Sequence, residues 1–181
     1  GLTEILTGKA TLAEAIQEQA GQENFHVLFA GQKAPNPGEL LTIEAAACFP
    51  IPSGWSFGEA AAFPLVATTS WRMCVTRGQL QPGETVLILG AAAGVGVLCI
   101  QIAKMLGCRV IATASTQDKR DLCAALGADH CIDYTQEGWT REVRTLTHKK
   151  GVDVTIDYVG KATWKDSLRL TRSGGRILTC G

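Results

Sequence analysis

"VLILGAAAGVGVLCIQIAK", running from Val86 to Lys104, decides how the rest of the chain is read. It opens on uninterrupted apolar residues, passes through a run of glycine and alanine, and then places apolar residues at helical spacing. That order describes a strand, a tight turn of small residues and a helix. The first N–H groups of a helix lack intrahelical partners, so such a turn offers donors and a positive dipole end to an anion. Set against the phosphate-binding pattern G-x-G-x-x-G, the three key positions are Ala91, Ala93 and Gly96, so alanine replaces two glycines. Alone, the stretch fits a phosphate cradle and a helix start packed on a sheet equally well.

The downstream sequence extends the pattern. Thr85–Leu89 reads as a strand buried on both faces, and a helix follows from Gly94 to Leu106 with Gly107 placed for a left-handed C-cap. Cys108–Ala114 is a second strand, and Thr116–Leu126 a second helix stopped by Gly127. Asp129–Asp133, Val152–Tyr158 and Gly175–Cys180 read as three more strands, with helices at Glu137–Thr147 and Ala162–Leu170 between them. Five strands joined by helical crossovers predict an α/β fold with a doubly wound parallel sheet of the Rossmann type, in the order 3-2-1-4-5. The sequence stops at "GGRILTCG", directly after the fifth strand, so the domain is expected to be truncated at its C-terminus.

Upstream, "PIPSGWSFGEAAAFPLVATTSWRMCVTRGQLQPGE" reads as a loop and a helix, with Ser56 and Glu59 at capping-box spacing and Pro64 expected to break or kink the helix. Residues 1–43 have another texture. "LTEILTG" and "TLAEAIQEQ" are helical patches, "FHVLFA" is strand-like, and "KAPNPGEL" is a Pro/Gly turn. The expected organisation is therefore a short mixed N-terminal segment (1–43), a connecting loop and helix (44–84) and the sheet domain (85–181).

Bulk properties exclude several classes. The 181 residues carry seventeen basic and seventeen acidic side chains, so no global field draws the protein to nucleic acid or anionic lipid. No run reaches the roughly 20 apolar residues of a membrane span. The seven cysteines form no C-x-x-C pair and read as reduced thiols of a cytoplasmic protein.

Read as a whole, "FGEAAAFPLVATTSW", "LQPGETVLILGAAAGVGVLCIQIAKMLGCRVIATAS", "LGADHCIDY", "GVDVTIDYVG" and "GGRILTCG" resemble, in order and interval, the cofactor domain of the medium-chain dehydrogenase/reductase superfamily, specifically its zinc-free quinone oxidoreductase-like branch. The resemblance covers residues 44 to 181. It implies an oxidoreductase that transfers hydride from a nicotinamide dinucleotide to a quinone, enone or other carbonyl compound. The turn residues Ala93, Gly94, Val95 and Gly96 are then the pyrophosphate contacts. That branch commonly carries "GAAGGVG", so Ala93 stands where a glycine is usual, and its methyl group is expected to crowd the phosphate.

Selectivity is read at the end of the second strand. NAD enzymes place an acidic residue about 20 residues beyond the turn to hold the ribose 2′-hydroxyl. Here the strand ends "IATASTQDK", where Ser115, Thr116 and Lys119 suit a 2′-phosphate and Arg120 adds charge. Ser115 and Asp118 also have capping-box spacing, so a plain helix start remains open. By family position Tyr134 flanks that phosphate, and Thr69, Val159, Gly160 and Cys180 line the nicotinamide end. NADP is expected ahead of NAD.

The resemblance also places a zinc ligand of other superfamily members near Leu65, which cannot ligate, and His26, His130 and His148 are scattered; no metal is expected. No nucleophile–base constellation is apparent, so catalytic residues are not assigned. The substrate domain that precedes residue 44 in the family is expected to be absent, so a catalytically inactive dinucleotide-binding fragment or fusion product is the alternative expectation. Residues 1–43, through "GLTEILTGKATL" and "APNPGELL", resemble a segment of bacterial capsular-polysaccharide tyrosine kinases and chain-length regulators, without their phosphate-binding motifs. A chimera is the expectation; a polysaccharide-export regulator is the third reading. The expected partner is a small-molecule substrate, with pairing of Val27–Ala30 along a sheet edge and a homodimer as the assemblies to look for.

Overall fold

The computed structural model describes residues 50–180, together with the backbone of two short strands, β1 (Ile16–Glu18) and β2 (His26–Leu28). The chain divides into two compact units, Gly1–Ala61 and Ala62–Gly181.

β1 and β2 pair antiparallel with Ile16 opposite Leu28 and Glu18 opposite His26. The strand expected within "FHVLFA" therefore forms. The helix expected over "TLAEAIQEQ" does not form at Ile16–Glu18, where cross-strand pairing overrides a favourable local helical propensity. Val27 pairs with Gln17 in this ribbon and not along an edge of the larger sheet. The "LTEILTG" and "KAPNPGEL" expectations lie outside the described residues, as do Ala30 and Cys48.

Helix α1 (Phe57–Trp71) starts with the anticipated capping box: Glu59 Oε2 accepts from Ser56 N–H at 2.8 Å, and Ser56 Oγ accepts from Glu59 N–H at 3.3 Å. Pro64 does not break the helix. In the turn that follows, Thr68, Thr69 and Ser70 donate to the carbonyls of Pro64, Leu65 and Val66 at 2.7, 2.8 and 2.7 Å. The departure from α geometry falls later, in a π-helical stretch at Arg72–Arg77.

The main sheet holds five parallel strands: β3 (Thr85–Ile88), β4 (Arg109–Ala114), β5 (His130–Asp133), β6 (Val152–Ile156) and β7 (Thr171–Leu178). Their spatial order, β5-β4-β3-β6-β7, is the anticipated 3-2-1-4-5 winding. The chain runs outward from β3 to β5, then returns to β6, so the topological switch point lies between β3 and β6.

Each face of the sheet has its own core. Val86, Ile88, Val110 and Ala112 meet Cys99, Ile100 and Ala103 of helix α2 (Gly94–Met105) and Cys123 of α3 (Gln117–Ala125). Leu87, Leu89 and Ile111 meet Val143 of α4 (Trp139–Leu146) and Leu170 of α5 (Trp164–Leu170). β3 is buried on both sides, which is why its sequence is continuously apolar. β7 begins four residues earlier than "SGG" suggests, since Thr171 pairs with Val152 before an irregularity shifts the register to Val154 opposite Arg176. The Thr155 and Thr171 hydroxyls, 2.7 Å apart, anchor that early start.

Candidate functional site

The turn after β3 is held from both neighbouring strands. Gly90 has φ +64°, a region costly for residues with a Cβ. Its N–H donates to Thr113 Oγ1 of β4 at 3.2 Å, and its carbonyl accepts from the Tyr158 hydroxyl beyond β6 at 2.6 Å. Ala91 N–H donates to the Thr113 carbonyl at 2.8 Å, and Ala93 N–H to the Gly90 carbonyl at 3.1 Å. Burial, with nearby thiols adding to it, pushes the Tyr158 hydroxyl up, so it stays a proton donor at neutral pH.

Ala93 caps α2 with extended backbone and no side-chain cap bond. The first intrahelical bond runs from Val97 N–H to the Ala93 carbonyl at 2.9 Å, so the N–H groups of Gly94, Val95 and Gly96 have no acceptor within the helix. A Cβ at Gly96 would collide with the Ala91 carbonyl and the Tyr158 hydroxyl. The third glycine of the sequence pattern is thus required by packing, whereas Ala91 fits fully buried at the first.

A cavity of about 260 Å³ lies over this turn, and Ala93, Ser115, Lys119, Tyr134, Tyr158 and Val159 are among its lining. None of its lining residues is acidic, and Lys119 forms no ion pair among the described residues. Arg120 is not available in the same way. Its guanidinium is 2.9 Å from Asp133 and bonds Gln117 at 2.9 Å. The helix that follows is capped by Thr116, whose hydroxyl accepts from Lys119 N–H at 3.4 Å, one position later than Ser115–Asp118 spacing suggests. Gly90, Tyr134 and Val159 also line an adjoining chamber of about 390 Å³ with Trp139, Thr163 and Asp166.

Val159 and Gly160 are positioned by Asp157, a residue only 1% exposed. Its Oδ1 accepts from their N–H groups at 3.0 and 2.9 Å, and its Oδ2 from the Ser167 hydroxyl at 2.6 Å. Burial pushes this carboxyl up, but the Gly160 N–H, the Ser167 and Thr163 hydroxyls and the Val159 N–H outweigh it and hold it below the usual carboxylate range.

Thr69 and Cys180 line a separate cavity of about 640 Å³ together with Arg72, Met73 and Leu178. Burial pushes the Cys180 thiol up, so it is neutral at physiological pH. Of the residues singled out in the sequence, Ala93, Ser115, Lys119, Tyr134 and Val159 thus meet at one cavity, and Thr69 and Cys180 at another. Gly94, Val95, Gly96, Thr116 and Gly160 stand in the backbone around them without lining either. Among the described residues no group of three His, Cys, Asp or Glu side chains is arranged to hold a metal ion, and no helix is long and apolar enough to cross a membrane. Thr113, Asp157 and Tyr158 were not marked by the sequence pattern. The polar "DY" closing the apolar run "VDVTI" is the one local signal for the last two.

Residues 94–181 match the zinc-binding dehydrogenase family. The quinone oxidoreductase of Pseudomonas aeruginosa is 38% identical over 131 residues, 72% of this chain and 40% of that protein. The mycoketide-CoA synthase of Mycobacterium tuberculosis is 36% identical over 146 residues, 80% of this chain and 4% of that protein. Among solved structures, an NAD-dependent alcohol dehydrogenase superposes with a TM-score of 0.69 at 45% identity, covering 72% of this chain and 38% of its own. A mycobacterial protein solved in complex with NADPH gives 0.68 at 34% identity, with 73% and 41% coverage. The chain spans less than half the length of each of these relatives. With that fold and those identities, the five-stranded domain belongs to the medium-chain dehydrogenase/reductase superfamily.

Proposed function

We propose that the five-stranded domain binds a nicotinamide dinucleotide, NADPH ahead of NADH, as the cofactor-binding part of an oxidoreductase acting on a quinone, enone or other carbonyl compound. The observation that carries this reading is the acid-free cavity joining the turn to Ser115 and Lys119. The pyrophosphate would take the free N–H groups of Gly94, Val95 and Gly96, and the 2′-phosphate the side chains of Ser115 and Lys119 beside Tyr134. The nicotinamide end would extend toward Thr69 and Cys180, past Val159 and Gly160. When bound, the cofactor supplies the hydride; the chain's own residues bind and orient it. The name of the quinone oxidoreductase supports the oxidoreductase part of this reading, and the names of the NADPH complex and the NAD-dependent alcohol dehydrogenase support a nicotinamide cofactor.

Calorimetric titration of the wild type and Lys119→Gln with NADPH and NADH tests it. NADPH should bind more tightly than NADH, and the substitution should weaken NADPH by about tenfold while barely changing NADH. Tighter binding of NADH by the wild type would refute the selectivity, and binding of neither would refute the assignment. NADPH consumption with a panel of small quinones separates an active reductase from a domain that only binds its cofactor.

A further inference from the structure

We infer that Tyr158 is the positioning residue of the phosphate turn, a latch thrown from β6 across the switch point onto the turn that leaves β3. The inference rests on the dinucleotide reading above and adds to it a residue outside the glycine pattern. Gly90 is the pivot of the turn. Its N–H is fixed from one side by Thr113, and its carbonyl from the other by the Tyr158 hydroxyl at 2.6 Å. That carbonyl also receives Ala93 N–H at 3.1 Å, the last bond before α2 begins. Any rotation of the Gly90 peptide therefore moves Ala93 and re-aims the N–H groups of Gly94, Val95 and Gly96.

The hydroxyl also fills the space that Gly96 leaves open, so the turn and the helix close on it together. The tyrosine lines the cavity over the turn while packing against the core on the α2 side of the sheet. A phenylalanine would keep that packing and lose the bond. Gly90 would then hold its orientation through Thr113 and Ala93 alone, and the three N–H groups would meet an anion less well pre-aligned. The Ser115–Lys119 end of the cavity has no bond to Tyr158 and would be untouched.

The two ends of the site can be probed separately. NADPH carries a pyrophosphate, whereas adenosine 2′-monophosphate reaches only the Ser115–Lys119 end. In Tyr158→Phe, NADPH should bind about five- to tenfold more weakly, with adenosine 2′-monophosphate unchanged within about twofold. Thr113→Val, which removes the opposite hydrogen bond, should show the same split and serves if Tyr158→Phe fails to fold. In the ligand-free protein, amide resonances of Gly94, Val95 and Gly96 should shift in Tyr158→Phe while those of Ser115 and Lys119 stay in place. Equal weakening of both ligands, or weakening of neither, would overturn the latch while leaving the dinucleotide reading intact. A wild type that binds neither ligand would overturn the dinucleotide reading itself, and the latch with it.

Discussion

Replacing Asp157 with asparagine should destabilise the five-stranded domain by about 2–3 kcal/mol, because a buried anion with four donors is exchanged for a neutral amide of the same shape. The carboxylate is 1% exposed and accepts from Val159 N–H, Gly160 N–H, and the hydroxyls of Thr163 and Ser167 at 2.6–3.0 Å. Hydrogen bonds to a charged acceptor are worth about 1.5–3 kcal/mol against about 0.5–1.5 for neutral pairs. Three retained bonds therefore weaken by about 1 kcal/mol each, and the Ser167 hydroxyl must turn to accept from the new amide. The lighter desolvation of a neutral group offsets part of this. Urea unfolding followed by tryptophan fluorescence should show the loss as a lower midpoint at unchanged slope, and heating as a drop of roughly 4–12 °C. The pH dependence supplies a second reading of the same cause. A carboxyl held below its usual range contributes stability that is fully present above about pH 4, the unfolded value, and is lost as pH falls through the folded value. The gap between wild type and Asp157→Asn should thus be widest near neutrality and shrink toward pH 3. A gap below about 0.5 kcal/mol, or one that is the same at pH 7 and pH 3, would refute the reasoning.

Three other outcomes follow from the same geometry. Gly96→Ala should cost about 1–3 kcal/mol by overpacking against the Ala91 carbonyl and Tyr158, seen as a lower urea midpoint together with lost NADPH binding. Glu84→Gln should cost about 1–2 kcal/mol, since it breaks the two-point pairing with Arg176 at 2.9 and 2.6 Å while its side chain is only 15% exposed; chemical denaturation checks it. Peptide mapping after brief native alkylation should find label on Cys131 and Cys180 before Cys74, Cys99 or Cys123, because the latter are fully buried and burial pushes Cys123 up to about 11. Early label on Cys99 would contradict the packing.

The central sheet was legible because β3 and β4 are buried almost throughout and the helices that follow them, α2 and α3, end on left-handed glycines, Gly107 with φ 78° and Gly127 with φ 101°. Those signals are local and strong. β1 and the early start of β7 were not legible, since both depend on partners distant in sequence: Ile16 on Leu28, and Thr171 on Val152. Pro64 misled because proline removes a single N–H bond, a local cost that the rest of a 15-residue helix absorbs. In the site, spacing singled out Ala93, Ser115 and Lys119, and the family resemblance Tyr134, which line one cavity. Spacing overlooked that Arg120 already has a carboxylate partner in Asp133, an interaction fixed only when β5 lies beside β4.

Two of the three residues that spacing missed share one location, the exit of β6. Asp157 and Tyr158 are consecutive there, and consecutive residues leaving a strand point to opposite faces. Asp157 turns toward α5 and fixes the loop carrying Val159 and Gly160, while Tyr158 turns toward α2 and fixes Gly90. One dipeptide therefore ties both sides of the crevice in which a doubly wound sheet receives its ligand. The two alanines in the turn are compatible with this arrangement. Ala91 is buried and needs no flexibility once Thr113 holds its N–H, and Ala93 supplies only backbone to the helix cap. A glycine-poor turn keeps its shape here because the neighbouring strands hold it, and on the proposed reading part of the determinant for ligand binding would move from the turn's own sequence to residues about 20 and 65 positions further along the chain.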